Sequence, residues 1–225
     1  MPRTVPAGHA LAWFTEAMRL WKRSPVAFSL MAFFILAVTV LPEPVPVLGF
    51  VAANVIAPLL SCGLLYASLA ADRDGKARFV HLFAVFAAPL RALWAVVAAG
   101  LVVLLAESAV AWSLAEVNLF LPVPDAANLP PGVIVAIYAF GALASMPVTF
   151  VPMAALFDGE DAGTAFALSW RAFRANVPAL LALAAYSFVL LLLGLATTGV
   201  GLVLALPWIA AASYAAWKDI FRLDG

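Results

Sequence analysis

The amino-acid sequence predicts an all-α polytopic membrane protein, with six transmembrane helices and three interfacial amphipathic helices in an approximate three-fold internal repeat. Three observations predict it. Hydrophobic residues make up 66% of the 225 and charged residues 11%, against about 45–50% and about 25% in soluble domains. So few charges cannot cover a soluble globule of this length, and lipid must replace water over much of the surface. Apolar runs long enough to cross a bilayer recur along the chain, and every lysine and arginine falls on one side of them. A pattern of short amphipathic segment, proline and paired apolar runs then returns along the chain.

The first element is the segment before the first apolar run. At 100° per residue, Ala10, Leu11, Trp13, Phe14, Ala17, Met18, Leu20 and Trp21 fall on one half of a helical wheel, and His9, Thr15, Glu16, Arg19, Lys22 and Arg23 on the other. This predicts a surface-lying helix with tryptophans at headgroup level and cations facing anionic lipid. It ends at Ser24-Pro25, where the missing proline N–H is harmless because the first amides of a helix have no partner.

Six apolar runs follow, at 25–41, 47–71, 89–115, 132–157, 178–198 and 199–217. About 20 residues are needed to cross roughly 30 Å of hydrocarbon at 1.5 Å per residue. The last two nearly touch: Thr197, Thr198, Gly199 and Gly201 are the only turn signal between them, which would also fit one long kinked segment. No cleavable signal peptide is expected, since the first run begins at residue 25 behind a charged segment.

Orientation follows from the cations. With a cytoplasmic N-terminus, all twelve basic residues lie inside: Arg3, Arg19, Lys22, Arg23, Arg73, Lys76, Arg78, Arg91, Arg171, Arg174, Lys218 and Arg222. The opposite loops carry only Glu43, Glu116 and Asp125. Both termini are therefore expected in the cytoplasm.

The pattern of the first segment returns twice. Residues 77–88, with Phe79, Leu82, Phe83 and Phe86 at helical spacing, follow a charged turn and end at Pro89. Residues 162–177, with Phe166, Trp170 and Phe173 on one side and Arg171 and Arg174 on another, follow an acidic turn and end at Pro178. The second run of each unit holds an internal proline some way before an acidic end: Pro58 with Asp72, Pro147 with Asp158, Pro207 with Asp219. The chain thus reads as a single membrane domain, 1–225, of three units at about 9–71, 76–157 and 162–217. A proline inside a span frees a backbone carbonyl that neighbouring helices or Ser and Thr must satisfy, so the kinked helices should face protein.

Glu107 is the one charged-type residue deep inside a run, about 13 Å below the boundary at Glu116 by helical rise. Intramembrane carboxyls are costly and are functional candidates. Asn54 and Tyr138 enter from the same side at similar depth, so Glu107 is expected to be protonated and hydrogen-bonded near one of them. A proton or cation relay, an interhelical hydrogen bond and a carboxyl reaching up to water all fit this position. Arg19, Lys22, Arg23, Arg78, Arg91, Arg171 and Arg174 are the candidate contacts for anionic lipid, beside their plainer role in setting topology. Asp72, Asp74, Asp158, Glu160 and Asp161 would suit a cation site on the cytoplasmic side, but acidic turns just before helices read more simply as N-caps, with Asp161 capping the third amphipathic helix. Cys62 beside Gly63 reads as packing, and Gly141 with Ser145 and Ala53 with Ala57 have the spacing of close helix contacts.

Motifs of the common enzyme classes do not occur: no GxSxG, HExxH, phosphate-binding Walker loop or GxGxxG. One cysteine and two distant histidines offer no metal centre. The sequence therefore predicts a non-enzymatic membrane protein without cofactor or metal. Its expected partners are membrane lipids, anionic ones through the basic helices, and not nucleic acid; a protein partner and the oligomeric state have no sequence signature. Two functions fit, a lipid- or partner-binding, membrane-organising protein and a small transporter or channel with Glu107 in a polar path.

The stretch from Ala165 to Asn176 with Pro178, the ending from Tyr214 to Phe221, Trp13, Trp21 and Pro25, and Pro58 with Gly63 carry a further signal. Together they resemble a family of small proteobacterial polytopic inner-membrane proteins of unknown function. The chain is also distantly similar to the membrane-embedded domain attached to some glycerophosphodiester phosphodiesterases, without a phosphodiesterase domain. The resemblance implies a bacterial inner-membrane location and adds no activity.

Overall fold

The computed structural model describes residues 2–120 and 129–221, and these fold into helices without strands. Asp125 and Arg222, both used in the orientation argument, lie outside the described residues. In chain order the helices are α1 (His9–Arg23), α2 (Pro25–Val40), α3 (Pro46–Val51), α4 (Ala57–Asp74), α5 (Leu90–Ala115), α6 (Pro131–Ser145), α7 (Val151–Leu156), α8 (Ala162–Ala175), α9 (Val177–Ala196) and α10 (Leu202–Phe221). Four continuous helices are long and apolar enough to cross a membrane: Val47–Asp74, Leu90–Ala115, Pro131–Val148 and Val177–Ala196. A fifth arises if α1 and α2, which meet at 101°, count as one broken span. The chain is therefore built as a multi-pass membrane protein. Two of the six apolar runs fall short as single helices for visible reasons. Helix α2 has only 16 residues, and α10 carries Pro207, Trp208, Tyr214, Trp217, Lys218 and Asp219 along its length.

Prolines set the breaks. A π-helical turn, Ala52–Ile56, joins α3 to α4 immediately before Pro58, the kind of local unwinding that accommodates a residue lacking an N–H. The run at 132–157 is not one helix. It divides into α6, a 3₁₀ turn (Met146–Val148) around Pro147, and α7, whose second residue is Pro152. A side chain from elsewhere repairs this break: the Ser169 hydroxyl of α8 donates to the Pro147 carbonyl at 2.8 Å and accepts from the Phe150 amide at 3.2 Å. The segment expected as the second amphipathic helix is instead a 3₁₀ helix, Phe79–Ala87, which leads directly into Pro89.

Helices α9 and α10 are two separate helices folded onto each other, not one kinked rod. Thr198 and Gly199 take positive φ at the turn, and the Thr197 hydroxyl accepts from the Gly201 amide at 2.7 Å. A side chain at Gly194 would stand 2.5 Å from Leu202 Cδ2, so the absence of one lets the two helices close.

The packing follows one order. Helix α1 lies along α10, the 3₁₀ helix along α4, and α8 along α7 and its 3₁₀ entry. The longer helices interleave: α2 touches α4 and α10, α5 touches α4 as well as α6 and α7, and α9 touches α6 and α10. At Gly63 on α4 the approach is backbone to backbone, since a Cβ there would lie 2.4 Å from the Leu82 carbonyl oxygen and 2.5 Å from its Cα.

This order changes the expected face of α1. Ala10, Trp13, Ala17 and Leu20 are buried on the side packed against α10. Leu11 and Met18 stay exposed and border a shallow apolar groove with Tyr186 and Trp208. Most of the apolar stripe read as lipid-facing therefore binds protein.

Candidate functional site

The polar side chains of this apolar chain gather at the end of the bundle where α1, α4 and α10 meet. Asp72, in the last turn of α4, accepts from Lys218 Nζ at 2.5 Å and from the Tyr214 hydroxyl at 3.0 Å, both on α10, and lies 3.5 Å from an Arg19 nitrogen on α1. Arg23 closes the same corner by donating to the Ala71 and Asp72 carbonyls, two of the orphan acceptors at the end of α4. Next to Lys218 on α10, Asp219 accepts from the Arg3 guanidinium, contacts His9 Nδ1 at 2.7 Å and accepts from Trp13 Nε1 at 2.9 Å. Three donors on one carboxylate hold α1 and the residues before it to α10.

Those leading residues are tied down once more. Asn176, fully buried between α8 and α9, accepts from the Val5 amide at 2.8 Å and donates to the Arg3 and Ala172 carbonyls at 2.9 and 3.0 Å. The Arg3 amide donates to the Ile220 carbonyl at 2.8 Å. A side-chain amide using its donors and acceptor in this way completes a buried network that would otherwise be expensive.

Beside the Asp72 cluster opens a cleft of about 830 Å³. Tyr66, Asp72, Arg73, Asp158, Trp217 and Lys218 are among the residues that line it. Asp72 and Lys218 neutralise each other, whereas among the described residues no ion pair includes Arg73 or Asp158. Trp217 is 4% exposed, and its indole N–H has no acceptor among the described residues. A buried donor without a partner is rare in native structures.

Sequence analysis pointed elsewhere. Glu107 is half-buried in the seam between α5 and α6, where its carboxyl lies against Gly141. Tyr138 sits one turn before Gly141 on α6, but no hydrogen bond joins Glu107 to Tyr138 or Asn54 among the described residues. The Asn54 amide donates to the Phe50 carbonyl of its own helix at 3.0 Å. The hydrogen bond expected between Glu107 and one of the two is thus not made. Glu107 rests on a glycine because α5 and α6 approach closely there, leaving room for a carboxyl but offering it no donor.

The candidate lipid contacts divide in two. Arg19 pairs with Glu16 and approaches Asp72, and Arg23 caps α4. Lys22, Arg78, Arg91, Arg171 and Arg174 are exposed, and no ion pair includes them among the described residues. The capping reading of Asp161 corresponds to a real bond set: its carboxylate accepts from the Thr164 amide at 3.2 Å and hydroxyl at 2.6 Å, which holds it below the usual carboxylate range. Cys62 is buried.

Asp219, Asn176 and Tyr214 were missed as site residues because their partners are far away in sequence. One local signal existed: His9 and Trp13 stand four residues apart on α1, so a single acceptor can meet both. Comparison with known proteins yields no matching family model, no matching curated protein and no matching solved structure.

Proposed function

We propose that this chain is a lipid-binding, membrane-organising protein of the bacterial inner membrane. In this reading six helices or helix pairs cross the bilayer, both termini are cytoplasmic, and the three short helices form a cytoplasmic collar. The observation that carries the reading is the set Lys22, Arg78, Arg91, Arg171 and Arg174, exposed cations with no intramolecular ion pair among the described residues. They lie on the three short helices or at their borders, where anionic headgroups would supply the missing charge, each cation contributing about 1 kcal/mol near such a surface.

The order of packing supports a three-unit cycle. Each short helix lies on the last, proline-bearing apolar helix of the preceding unit, and the cycle closes when α1, the first, lies on α10, the last. Each unit's leading apolar helix likewise touches the last helix of its own unit and that of the preceding one. The resemblance to small proteobacterial inner-membrane proteins agrees with this location. A transporter using Glu107 would need a cavity reaching Glu107, Asn54 or Tyr138, whereas the cleft is lined by other residues. A binding role, not transport through Glu107, is therefore the reading adopted.

Two measurements test it. In a Cys62→Ser background, Glu116→Cys should react with an impermeant maleimide in intact cells and Lys76→Cys only after lysis; the reverse pattern would overturn the topology. The combined variant Lys22→Gln, Arg171→Gln, Arg174→Gln should reduce co-purified phosphatidylglycerol relative to phosphatidylethanolamine. An unchanged ratio would remove the collar's role.

A further inference from the structure

Helices α4, α7 and α10 line two cavities, one after the other. Toward the middle of the bundle is an apolar chamber of about 310 Å³, open on one side and within the range of small-molecule sites. On α4 its lining includes Ser61, Cys62 and Leu65, and the polar cleft begins at Tyr66. On α7 the chamber lining runs to Met153 and the cleft resumes at Leu156; on α10 the chamber runs to Ser213 and the cleft starts at Tyr214. Three helices thus pass from one cavity to the next within a single turn of about 3.6 residues.

The two cavities differ in chemistry. The chamber's hydroxyls are already satisfied within their own helices: Ser61 donates to the Ala57 carbonyl at 2.8 Å, Thr149 to Ser145 at 2.9 Å and Ser213 to Ile209 at 3.0 Å. What remains is an apolar wall with no unmet polar demand. The cleft has the opposite character. Arg73 and Asp158 bring opposite charges without an ion-pair partner among the described residues, and Tyr66 and Trp217 bring aromatic rings. An anionic group pairs with Arg73, an ammonium pairs with Asp158, and the rings of Tyr66 and Trp217 suit a cation.

We propose that the cleft and chamber form one binding site for a phospholipid-class amphiphile with a zwitterionic, phosphoethanolamine-type head, its phosphate at Arg73, its ammonium at Asp158 and an acyl chain in the chamber. The proposal rests on the lipid-binding, membrane-embedded reading above, but uses none of the collar cations, so each can fail alone. The head is zwitterionic because the cleft's free charges are one of each sign. A purely anionic head would leave Asp158 facing it unpaired.

Cys62, the only cysteine in the chain, lines the chamber and reports its occupancy. Delipidated full-length protein in detergent is titrated with palmitoyl lysophosphatidylethanolamine, lysophosphatidylcholine or lysophosphatidylglycerol. Retained lipid is read by native mass spectrometry, and access to Cys62 by its rate of reaction with methyl methanethiosulfonate. The ethanolamine lipid should be retained at one per chain and slow Cys62 modification at least about tenfold, ahead of the other two. Arg73→Gln and Asp158→Asn should each weaken retention by roughly tenfold, the loss of a charge-assisted hydrogen bond. Gly100→Leu, at a chamber position with open space around it, should abolish retention while circular dichroism and thermal unfolding stay close to the parent. The collar variant should retain the ethanolamine lipid unchanged. Equal retention of all three lipids, preference for the glycerol head, an unprotected Cys62, or parental binding by Arg73→Gln and Asp158→Asn would each overturn the site.

Discussion

The seam between α1 and α10 and the seam between α5 and α6 each hold a carboxylate against apolar helices, and they treat it in opposite ways. Asp219 meets three donors, from Arg3, His9 and Trp13. Glu107 meets Gly141, and a Cβ at that glycine would stand 2.1 Å from Glu107 Oε1. In the first seam the carboxylate is the fastening; in the second it occupies space left by a missing side chain. The difference teaches that a charged-type residue in an apolar helix is informative through its partners, not through its depth. It also separates two expected sensitivities, to loss of charge at one seam and to gain of volume at the other.

The largest expected effect breaks the first seam. Asp219→Ala strands a guanidinium, an imidazole and an indole N–H in a site where the carboxylate is only 18% exposed. Removing one partner of a buried set costs more than the set contributes. Discounted for partial solvent access, the loss of stability is about 2 kcal/mol. Asp219→Asn, which keeps an acceptor, should lose about half as much. Thermal unfolding in detergent, with protease access to the residues before α1, measures both. A loss below about 0.5 kcal/mol for the alanine variant would show that the carboxylate does not hold α1.

Composition and the length of the apolar runs made the helical membrane class legible, and prolines 25, 89 and 178 marked three real helix boundaries or their immediate neighbours. Pro58 and Pro147 likewise marked real breaks, though as a π turn and a 3₁₀ turn. Two things were not legible. Amphipathicity identified α1 as a helix with an apolar stripe, but a stripe does not say whether lipid or α10 covers it, since both are apolar. The polar network was also hidden, because Asn176 meets Val5 and Asp72 meets Lys218 only after the chain has folded back on itself. Depth within a run singled out Glu107, and depth is a property of one helix, whereas partnership needs two.

The second seam predicts a smaller effect of the other kind. Gly141→Ala should destabilise by about 1 kcal/mol, because the new methyl meets the Glu107 side chain, whose Cγ lies 2.9 Å from it as well. Glu107→Gln should stay within about 0.5 kcal/mol of the parent, since it keeps the shape and breaks no hydrogen bond. Glu107→Ala combined with Gly141→Ala should recover most of the loss, giving a coupling near 1 kcal/mol of opposite sign to the single cost. Purely additive losses would mean that the glycine serves some contact other than Glu107.

The smallest effect lies in a third seam, where the 3₁₀ helix Phe79–Ala87 rests on α4. His81 accepts the Arg78 amide proton through Nδ1 at 3.2 Å, which requires a lone pair on that nitrogen and so a neutral ring. Burial, and then the Arg78 charge, hold its pKa below the ordinary value of 6.5. The unfolded chain therefore takes up the proton first as pH falls. Stability contributed by neutral His81 is present above about 6.5 and declines as pH drops from there toward the lower folded value, below which the difference is constant. Comparing the parent with His81→Asn across pH 8 to 5 isolates this component from the carboxylates, which titrate in both proteins. The parent should lose more of its stability over that interval than the variant. Parallel curves would place His81 outside the contact that seats the 3₁₀ helix, and would leave its apolar packing, with the backbone approach of Leu82 to Gly63, to hold that seam.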